Sequence, residues 1–373
     1  MGLNEEAGAR LSSAMHHRSR IAAGSPALLA LAVALLAPCA AAAQESAAPT
    51  ASAGTVAPSS AAASPAPQER VAARLAAPAR VRQGDLIVAW AACAEPLERA
   101  QMRLIDASGK AAATARGFDA SSLADAPELA RASPGAARPR LYGFLIVAPT
   151  RLPPGSYELE AFGARVGISV DKRGFASETI KLDDKNTAIR TKPDKRKEEE
   201  AKKLLELLGR ADPAALYIDE STFVLPVAAE ARRSSLFGDR RAYAYSNGGS
   251  DASEHAGLDF AVVEGTPVRA CARGRVAMVA DRIVTGKTLV IEHLPGLYSV
   301  YMHLSSIEVA EGAIVERGSR VALSGSTGMS TGPHLHWVLR AGGAAFEPEP
   351  LLAASPLDKA LIINTIIALI EGR

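Results

Sequence analysis

The sequence predicts a mainly β protein in which two β-rich domains flank a charged helical connector. Short apolar runs, separated by glycine and proline turn signals, recur in residues 78–172 and again in residues 222–350. Between them, residues 195–209 are a run of good helix formers that ends in a glycine. The length of 373 residues gives room for about two domains of roughly 150 residues each, plus linkers.

Residues 1–43 have the composition of a secretory signal peptide. Three arginines precede an apolar run over residues 27–37, and small residues lead to an Ala-x-Ala site at 41–43. This order predicts cleavage before Gln44, and an apolar run of about 11 residues is short for a membrane span. We therefore expect export to the periplasm or cell envelope, with no transmembrane span in the mature chain. The three arginines are Arg10, Arg18 and Arg20.

Two alternatives to a cleaved signal stay open at the level of sequence. The apolar run is compatible with an uncleaved anchor. Cys39 offers a lipid attachment site, although Pro38 stands where a lipobox normally has glycine or alanine. Residues 44–77 follow and are rich in alanine, proline and serine, which predicts a flexible linker.

Composition limits the classes of function. The formal net charge is only +2, and no dense block of lysine and arginine is interleaved with aromatic residues. The sequence therefore does not predict a nucleic-acid partner. After cleavage only Cys93 and Cys271 would remain, and two distant cysteines indicate small buried residues rather than a disulfide scaffold.

The four segments after the linker follow from changes in this pattern. Residues 78–172 contain five short strand-like runs and a Pro-Pro-Gly turn at 153–155, which favour an immunoglobulin-like β sandwich without a catalytic cluster. Residues 173–215 are strongly charged and predict a helical connector with a solvated face. Strand patterns resume in residues 216–352, and the apolar residues 353–373 predict a packing helix too short to span a bilayer.

Two histidines, His334 and His336, project from one face of a predicted strand. Side chains alternate along a strand, so these two imidazoles lie roughly 6 to 7 Å apart on the same side. All five histidines outside the signal region fall in the second β-rich segment. They are His255, His293, His303, His334 and His336.

A metal pattern can be assembled from these residues. His255 and Asp259 would be about 13 Å apart in an extended chain, so a bend at Gly257 is needed to bring them to one ion. Imidazole nitrogen and carboxylate oxygen are both suited to zinc. His336 would supply the third ligand and leave one position open for water, as in catalytic zinc sites.

Two further imidazoles are then placed to act on that water. His303 ends a predicted strand, and His334 lies beside His336. An imidazole can accept the proton of a water, pass it to a leaving amine or stabilise an oxyanion.

The same residues carry a resemblance to the lysostaphin/LytM-type zinc peptidoglycan endopeptidases, including envelope members with an amino-terminal β domain. The motifs are His255-x-Gly-x-Asp259, Tyr301-x-His303-Leu304, and residues 325–328 leading into Thr331-Gly332-Pro333-His334-Leu335-His336. The resemblance spans about residues 222–350.

The resemblance implies a compact, mostly antiparallel β core of the LytM type, similar to the duplicated hybrid motif, with its site in a groove. It implies that His255, Asp259 and His336 bind Zn²⁺ and that His303 and His334 are the catalytic pair. The implied function is hydrolysis of peptide bonds in peptidoglycan crosslinks or stem peptides, with peptidoglycan peptides as the binding partner.

Some details of the resemblance stay open. Trp337 stands where many members carry phenylalanine. An upstream tyrosine assists catalysis in such enzymes, and both Tyr243 and Tyr245 are candidates. Asn247 is a candidate for the asparagine that binds zinc in some latent members. His293 is expected near a hairpin end beside the groove, outside the site.

Other functions also stay open. A non-catalytic LytM-like regulator of cell-wall hydrolases is the alternative, with an envelope regulator protein as partner. Such regulators usually lack one or more site residues, and none is missing here. Cleavage of a protein instead of wall peptide would use the same chemistry. We also expect that the β sandwich and connector are positioned to occlude the groove.

Overall fold

The computed structural model describes residues 73–93, 100–124 and 140–370. The predicted signal peptide, its alternatives and the linker up to residue 72 lie outside the described residues. Within the described residues the fold is mainly β, as predicted, with 22 strands, four α-helices and one short 3-10 helix, Ser121–Ala124. No helix in this part of the chain has both the length and the apolarity to cross a membrane.

The first β region is a path of eight strands in the order β1-β3-β6-β5-β4-β7-β8-β2. Most neighbours are antiparallel, and β2 pairs with β8 in parallel. The strands are β1 (Ala73–Ala76), β2 (Arg80–Arg82), β3 (Leu86–Cys93), β4 (Gln101–Ile105), β5 (Ala111–Asp119), β6 (Arg140–Val147), β7 (Gly155–Ala161) and β8 (Ala164–Asp171).

This region encloses an apolar core of its own. Side chains such as Ile87, Phe144 and Leu159 are fully buried in it. Strand β1 belongs to the stretch predicted as a linker, so that prediction was wrong for its last residues. The reason is that β1 pairs with β3 through its backbone, and Ala73 and Leu75 pack against the apolar core of this region. The immunoglobulin-like class of this region stays a prediction.

The connector differs from the predicted single helix. It begins with the strand β9 (Ser177–Lys181), which pairs in parallel with a later strand. Two helices follow, α1 (Asp184–Thr191) and α2 (Lys195–Leu208). Each begins at an aspartate whose carboxylate accepts from the backbone three residues on, Asp183 from Asn186 and Asp194 from Lys197.

The second β region is built around a central sheet in the order β10-β13-β21-β17-β16-β15-β19, with β22 beside β21. Two small sheets flank it, β12-β11-β9 and β14-β20-β18. The strands are β10 (Arg232–Ser235), β11 (Arg240–Ala244), β12 (Ser250–Glu254), β13 (Leu258–Ala261), β14 (Pro267–Arg269), β15 (Gly274–Arg282), β16 (Gly286–Leu294), β17 (Leu297–Leu304), β18 (Ser306–Ile307), β19 (Ile314–Val315), β20 (Arg320–Leu323), β21 (Leu335–Ala341) and β22 (Ala344–Phe346).

Strands β16, β17 and β21 are buried along almost their whole length because they are covered on both faces. Trp337, Tyr298 and Tyr301 are buried in this core. His293 is also fully buried, with Nδ1 bound to the Arg273 carbonyl and Nε2 to Ser299 Oγ. The prediction that it lies beside the groove was wrong, because it lies at the opposite end of β16 from the groove-side Gly286.

The carboxyl terminus returns to the first β region. Two helices, α3 (Glu349–Ala353) and α4 (Lys359–Ile370), replace the single predicted helix over 353–373. Helix α4 packs on β1 and β3, and its Ile362 and Ile366 are buried in the same apolar cluster as Trp90 and Phe260. One continuous core therefore joins the two β regions.

Polar contacts reinforce this junction. Arg173 pairs with Asp85 of the first β region and with Glu347, which lies just before α3. The loop after β6 contributes Thr150 and Arg151, whose side chains contact Glu254 Oε2 at 2.6 Å and Oε1 at 2.5 Å. Because Glu254 immediately precedes His255, the first β region contacts the segment that carries the candidate metal site.

The two cysteines of the described residues are buried, as predicted. Cys93 and Cys271 are thiols and do not form a disulfide. Burial raises the pKa of Cys271 to about 11, so this side chain is an uncharged core residue at neutral pH.

Candidate metal centre and groove

The structure brings His255, Asp259 and His336 together. Their ligand atoms all lie within 4.8 Å of one another, and the three residues are buried. Asp259 Oδ1 is 2.6 Å from His336 Nδ1 and 3.2 Å from His255 Nε2. Burial would raise the pKa of Asp259, but the two imidazoles outweigh it and hold that pKa well below its ordinary value. Two nitrogens and one oxygen at this separation fit Zn²⁺.

The sheet register creates this cluster. Asp259 on β13 lies directly opposite His336 on β21, so the two side chains emerge from adjacent strands at the same height. On the other side of β21, His336 is opposite Met302, which places His303 next to the cluster. Residues 77 positions apart in the chain thus become neighbours because three strands pair in this order.

Gly257 allows β13 to approach β21, which differs from the predicted role as a bend. A Cβ atom at this position would lie 2.1 Å from the Trp337 carbonyl oxygen, a distance that no side chain can tolerate. The turn from His255 to Asp259 therefore depends on close backbone contact with the strand that carries His336.

His303 and His334 form a second pair beside the cluster. Their ring centroids are 4.7 Å apart, and the His303 ring is 6.2 Å from that of His336. His303 Nδ1 is 2.8 Å from the Thr327 carbonyl, and His334 Nδ1 is 2.8 Å from the Gly332 carbonyl. A carbonyl only accepts, so in each ring Nδ1 carries the proton and Nε2 holds the lone pair.

Burial, together with the neighbouring His334 and His336, lowers the pKa of His303 to about 3. The ring is therefore neutral around pH 7. A neutral imidazole with a free Nε2 lone pair can accept a proton from a nearby water. The Thr327 carbonyl accepts a hydrogen bond from Nδ1 and so fixes the tautomer that this role requires.

Arg241 is a site residue that the sequence analysis missed. Its Nη2 donates to Asp259 Oδ2 at 2.6 Å, and its Nε donates to Glu178 Oε1 at 2.7 Å. Asp259 therefore has one oxygen held by arginine while the other faces the histidines. The alternation of β11 could have indicated this, because Arg241 and Tyr243 point to the same face as the groove.

His303, His334 and His336 line a groove with a cavity of about 360 Å³, and His255 lies buried next to it. Its walls come from β10, β11, β17 and the loop before His334, and also from the connector. The connector residues are Glu178, Ile180, Leu182 and Asn186. No described residue of the first β region lines the groove, so the expected occlusion by the β sandwich is not seen.

The open candidates upstream of His255 are now distinguished by position. Tyr243 is buried and lines the groove, whereas Tyr245 is not among the groove's lining residues within the described part of the chain. Asn247 is exposed, and its Oδ1 accepts from the Gly249 backbone at 3.1 Å. The structure therefore does not favour Asn247 as a metal ligand, because its side chain completes a turn of its own loop.

The model of peptidase family M23 matches residues 253–348, the segment that holds all five predicted site residues. An uncharacterized metalloprotease of Haemophilus influenzae is 41% identical over 124 residues, which is 33% of this chain and 26% of that protein. The peptidoglycan DD-endopeptidase ShyA of Vibrio cholerae is 41% identical over 114 residues, 31% of this chain and 26% of that protein. These alignments span about a quarter of the length of the curated relatives.

A solved structure is similar over the same region. The catalytic domain of the prophage-encoded M23 protein EnpA from Enterococcus faecalis is 31% identical and matches 34% of this chain and 95% of that chain, with a TM-score of 0.30. The family match itself shows that this chain carries a peptidase M23 domain over residues 253–348.

Proposed function

We propose that this chain is an exported zinc metalloendopeptidase that hydrolyses peptide bonds in peptidoglycan crosslinks or stem peptides. The observation that carries the proposal is the geometry of five residues that meet at one groove, four in its lining and His255 buried beside them. Three buried ligand atoms lie within 4.8 Å of one another, and two imidazoles with free Nε2 atoms lie beside them. Family M23 membership supports peptidase activity.

In this proposal His255, Asp259 and His336 hold Zn²⁺, which when bound lowers the pKa of a water and polarises a peptide carbonyl. His303 and His334 hold and move protons at their Nε2 atoms. The backbone carbonyls of Thr327 and Gly332 keep these atoms in the acceptor state. After accepting a proton, either ring becomes a donor that can protonate the leaving amine.

Peptidoglycan as the substrate is inferred from relatives. ShyA and ShyB of Vibrio cholerae carry the name peptidoglycan DD-endopeptidase, and ShyB is 45% identical over 83 residues. Hydrolysis of the wall peptide would require export, which agrees with the predicted signal over residues 1–43. We propose the periplasm or cell envelope as the location.

The domain organisation is part of the proposal. We assign an immunoglobulin-like β sandwich to residues 78–172, a connector to residues 173–215 and the peptidase domain to residues 216–352. Residues 353–373 form the carboxyl-terminal element. The contact of Thr150 and Arg151 with Glu254 supports a restraining or positioning role for the first domain.

The test is made on the mature chain, residues 44–373. We expect about one zinc per molecule and release of peptide fragments from purified sacculi, measured by metal analysis and mass spectrometry of the soluble products. A chelator should abolish release, and added Zn²⁺ should restore it. Undiminished release from metal-free protein would contradict the proposal.

The regulator alternative predicts a different result. If the chain is a regulator, its Asp259→Ala variant should still activate a cell-wall amidase. The regulator would release no peptide by itself. Retention of all five site residues favours the enzyme.

A further inference from the structure

Asn186, in the first turn of α1, reaches the groove from the connector. It is 2% exposed and lines the cavity together with His303 and His334. Its Nδ2 donates to the Ser330 carbonyl at 3.0 Å. Because that carbonyl can only accept, the orientation of the amide is fixed, and Oδ1 must point elsewhere.

Asn186 Oδ1 has no hydrogen-bond partner among the described residues. A buried carbonyl oxygen left without a donor is unfavourable, and such atoms in native structures require an explanation. An incoming donor would satisfy it. The oxygen itself is buried, but its side chain forms part of the cavity wall, so Oδ1 lies next to a molecule that occupies the groove.

Contacts on both sides hold α1 in this position. Arg190 Nε donates to both oxygens of Asp251, at 2.9 and 3.0 Å, and its guanidinium lies 3.8 Å above the Tyr243 ring. Thr187 Oγ1 accepts from the Ser246 backbone at 3.1 Å. The helix therefore joins the β11–β12 hairpin to the loop at Ser330, and the Asn186 side chain is presented by a fixed element.

The position is close to the proposed proton carrier. Ser330, whose carbonyl binds Asn186, also places its Oγ 3.3 Å from His334 Nδ1. On the other side, Ile180 and Leu182 of the connector continue the wall with apolar surface. The one connector carboxylate in the lining, Glu178, is already bound by Arg241. The surroundings of Asn186 thus favour a neutral donor over an ammonium group.

We propose that Asn186 is a substrate-binding residue whose Oδ1 accepts a hydrogen bond from a backbone N–H of the peptide in the groove. The inference rests on the proposed function and deepens it. Every residue of a peptide except proline has a backbone N–H, and this N–H is a neutral hydrogen-bond donor. The connector, which lies outside the segment matched to family M23, then forms part of the substrate site.

Kinetics of two variants test this proposal. Asn186→Leu keeps the approximate volume and removes the acceptor, and Asn186→Ala removes the side chain. We expect KM for a crosslinked dimeric muropeptide to rise about fivefold to tenfold in both, with kcat changed less than twofold, as for loss of one neutral hydrogen bond in substrate binding. Asn247 is an exposed asparagine in a neighbouring turn, so Asn247→Ala is the matched control. Its KM and kcat should equal those of the unmodified chain.

Binding measured without turnover separates this inference from the proposed function. In the His334→Ala background, calorimetry with the same muropeptide should show a Kd about fivefold to tenfold higher when Asn186→Leu is added. Zinc content should not change. If the unmodified chain binds muropeptide but releases no product, the proposed function fails while the Kd comparison still tests Asn186.

Three results would overturn the inference. Faster hydrolysis by the Asn186 variants would identify the residue as a block on the groove. Loss of zinc from them would identify it as part of the metal site. Equal KM and equal Kd, with cleavage intact, would show that the substrate does not use the Asn186 amide.

Discussion

His303 adopts a φ of 59°, in the left-handed region that residues other than glycine seldom occupy. Its backbone N–H donates to the Thr285 carbonyl at 2.9 Å, and its Nδ1 is bound to Thr327. Such strained backbone persists where surrounding contacts hold it, often at functional sites. At this residue, the strain accompanies an imidazole that lines the groove.

His334→Ala separates proton transfer from metal binding. We expect peptide release to fall by about 100-fold or more, because general acid–base catalysis contributes on that order. Zinc content should be retained, since His334 is not one of the three clustered ligands. Asp259→Ala is the comparison and should lose both zinc and activity. Full activity of His334→Ala in a muropeptide release assay would remove His334 from the catalytic pair.

Arg241 determines which oxygen of Asp259 faces the histidines. Removing it in Arg241→Ala leaves Asp259 Oδ2 without its donor and frees the carboxylate to rotate. We expect zinc affinity to fall about 10- to 100-fold, the range found for partners of metal ligands. Competition with a chromophoric chelator measures this affinity.

Arg320→Ala is the control for Arg241→Ala. Arg320 forms an exposed pair with Glu308 at 2.7 Å, outside the groove lining. The zinc affinity of Arg320→Ala should equal that of the unmodified chain. Equal affinities in all three proteins would show that Arg241 does not orient the ligand.

At the scale of elements, the connector behaves as part of the groove. Strand β9 extends the β12-β11 hairpin by parallel pairing, and α1 spans from that hairpin to Ser330. The sequence favoured a solvated charged helix for this stretch, which fits the exposed face of α2. It did not indicate β9, since the pairing partner lies more than 60 residues later and leaves no local pattern.

Arg190 is the side chain that fixes α1 most firmly. In Arg190→Ala the pair with Asp251 and the contact with the Tyr243 ring are both lost. We expect the free energy of unfolding to fall by about 1.5 to 3 kcal/mol, the range for a hydrogen bond to a charged group. Urea denaturation measures this change, and limited proteolysis should show faster cleavage within the connector.

Arg196→Ala on α2 provides the comparison. Arg196 pairs with Glu200 at 2.7 Å on a largely exposed face, so its removal should cost less than about 1 kcal/mol. If the Arg190 and Arg196 variants unfold at the same urea concentration, α1 is not held by the Arg190 contacts.

At the scale of the whole molecule, the two β regions share a core and a buried polar junction. Glu347 lies in that junction, where its backbone N–H donates to the Gly84 carbonyl at 2.9 Å. Burial raises the pKa of Glu347 to about 7 from an ordinary 4.5, although Arg173 opposes the shift and Glu349 and Asp85 add to it. The junction therefore responds to pH.

The sign of this response follows from proton linkage. Between about pH 4.5 and pH 7 the folded state retains the Glu347 proton and the unfolded state does not, so this residue's contribution to stability falls as pH rises. Over that pH window, we expect the free energy of unfolding of Glu347→Gln to change less with pH than that of the unmodified chain. Urea titrations at several pH values measure it, with Glu316→Gln, at an exposed position outside the junction, as the control.

If the unmodified chain and Glu347→Gln have parallel pH profiles between pH 4.5 and pH 7, Glu347 does not carry its proton in the folded state. The same profiles report on the junction, because Arg173 pairs with both Glu347 and Asp85, and Asp85 belongs to the first β region.

Sequence by itself determined the β character of both regions, the resemblance to the M23 peptidases, and the residue types of the candidate site. These features are local, since apolar alternation and short motifs such as His255-x-Gly-x-Asp259 can be read from neighbouring residues. Pairing of β13, β21 and β17 brought the five residues together in the structure.

Only the tertiary structure decided the roles that depend on distant contacts. Arg241 meets Asp259, Asn186 meets Ser330, and β1 and α4 join the two β regions, each through residues far apart in the chain. No local pattern encodes such contacts, because they arise from the packing of complete elements. For this reason the connector's place in the groove became visible only in the fold.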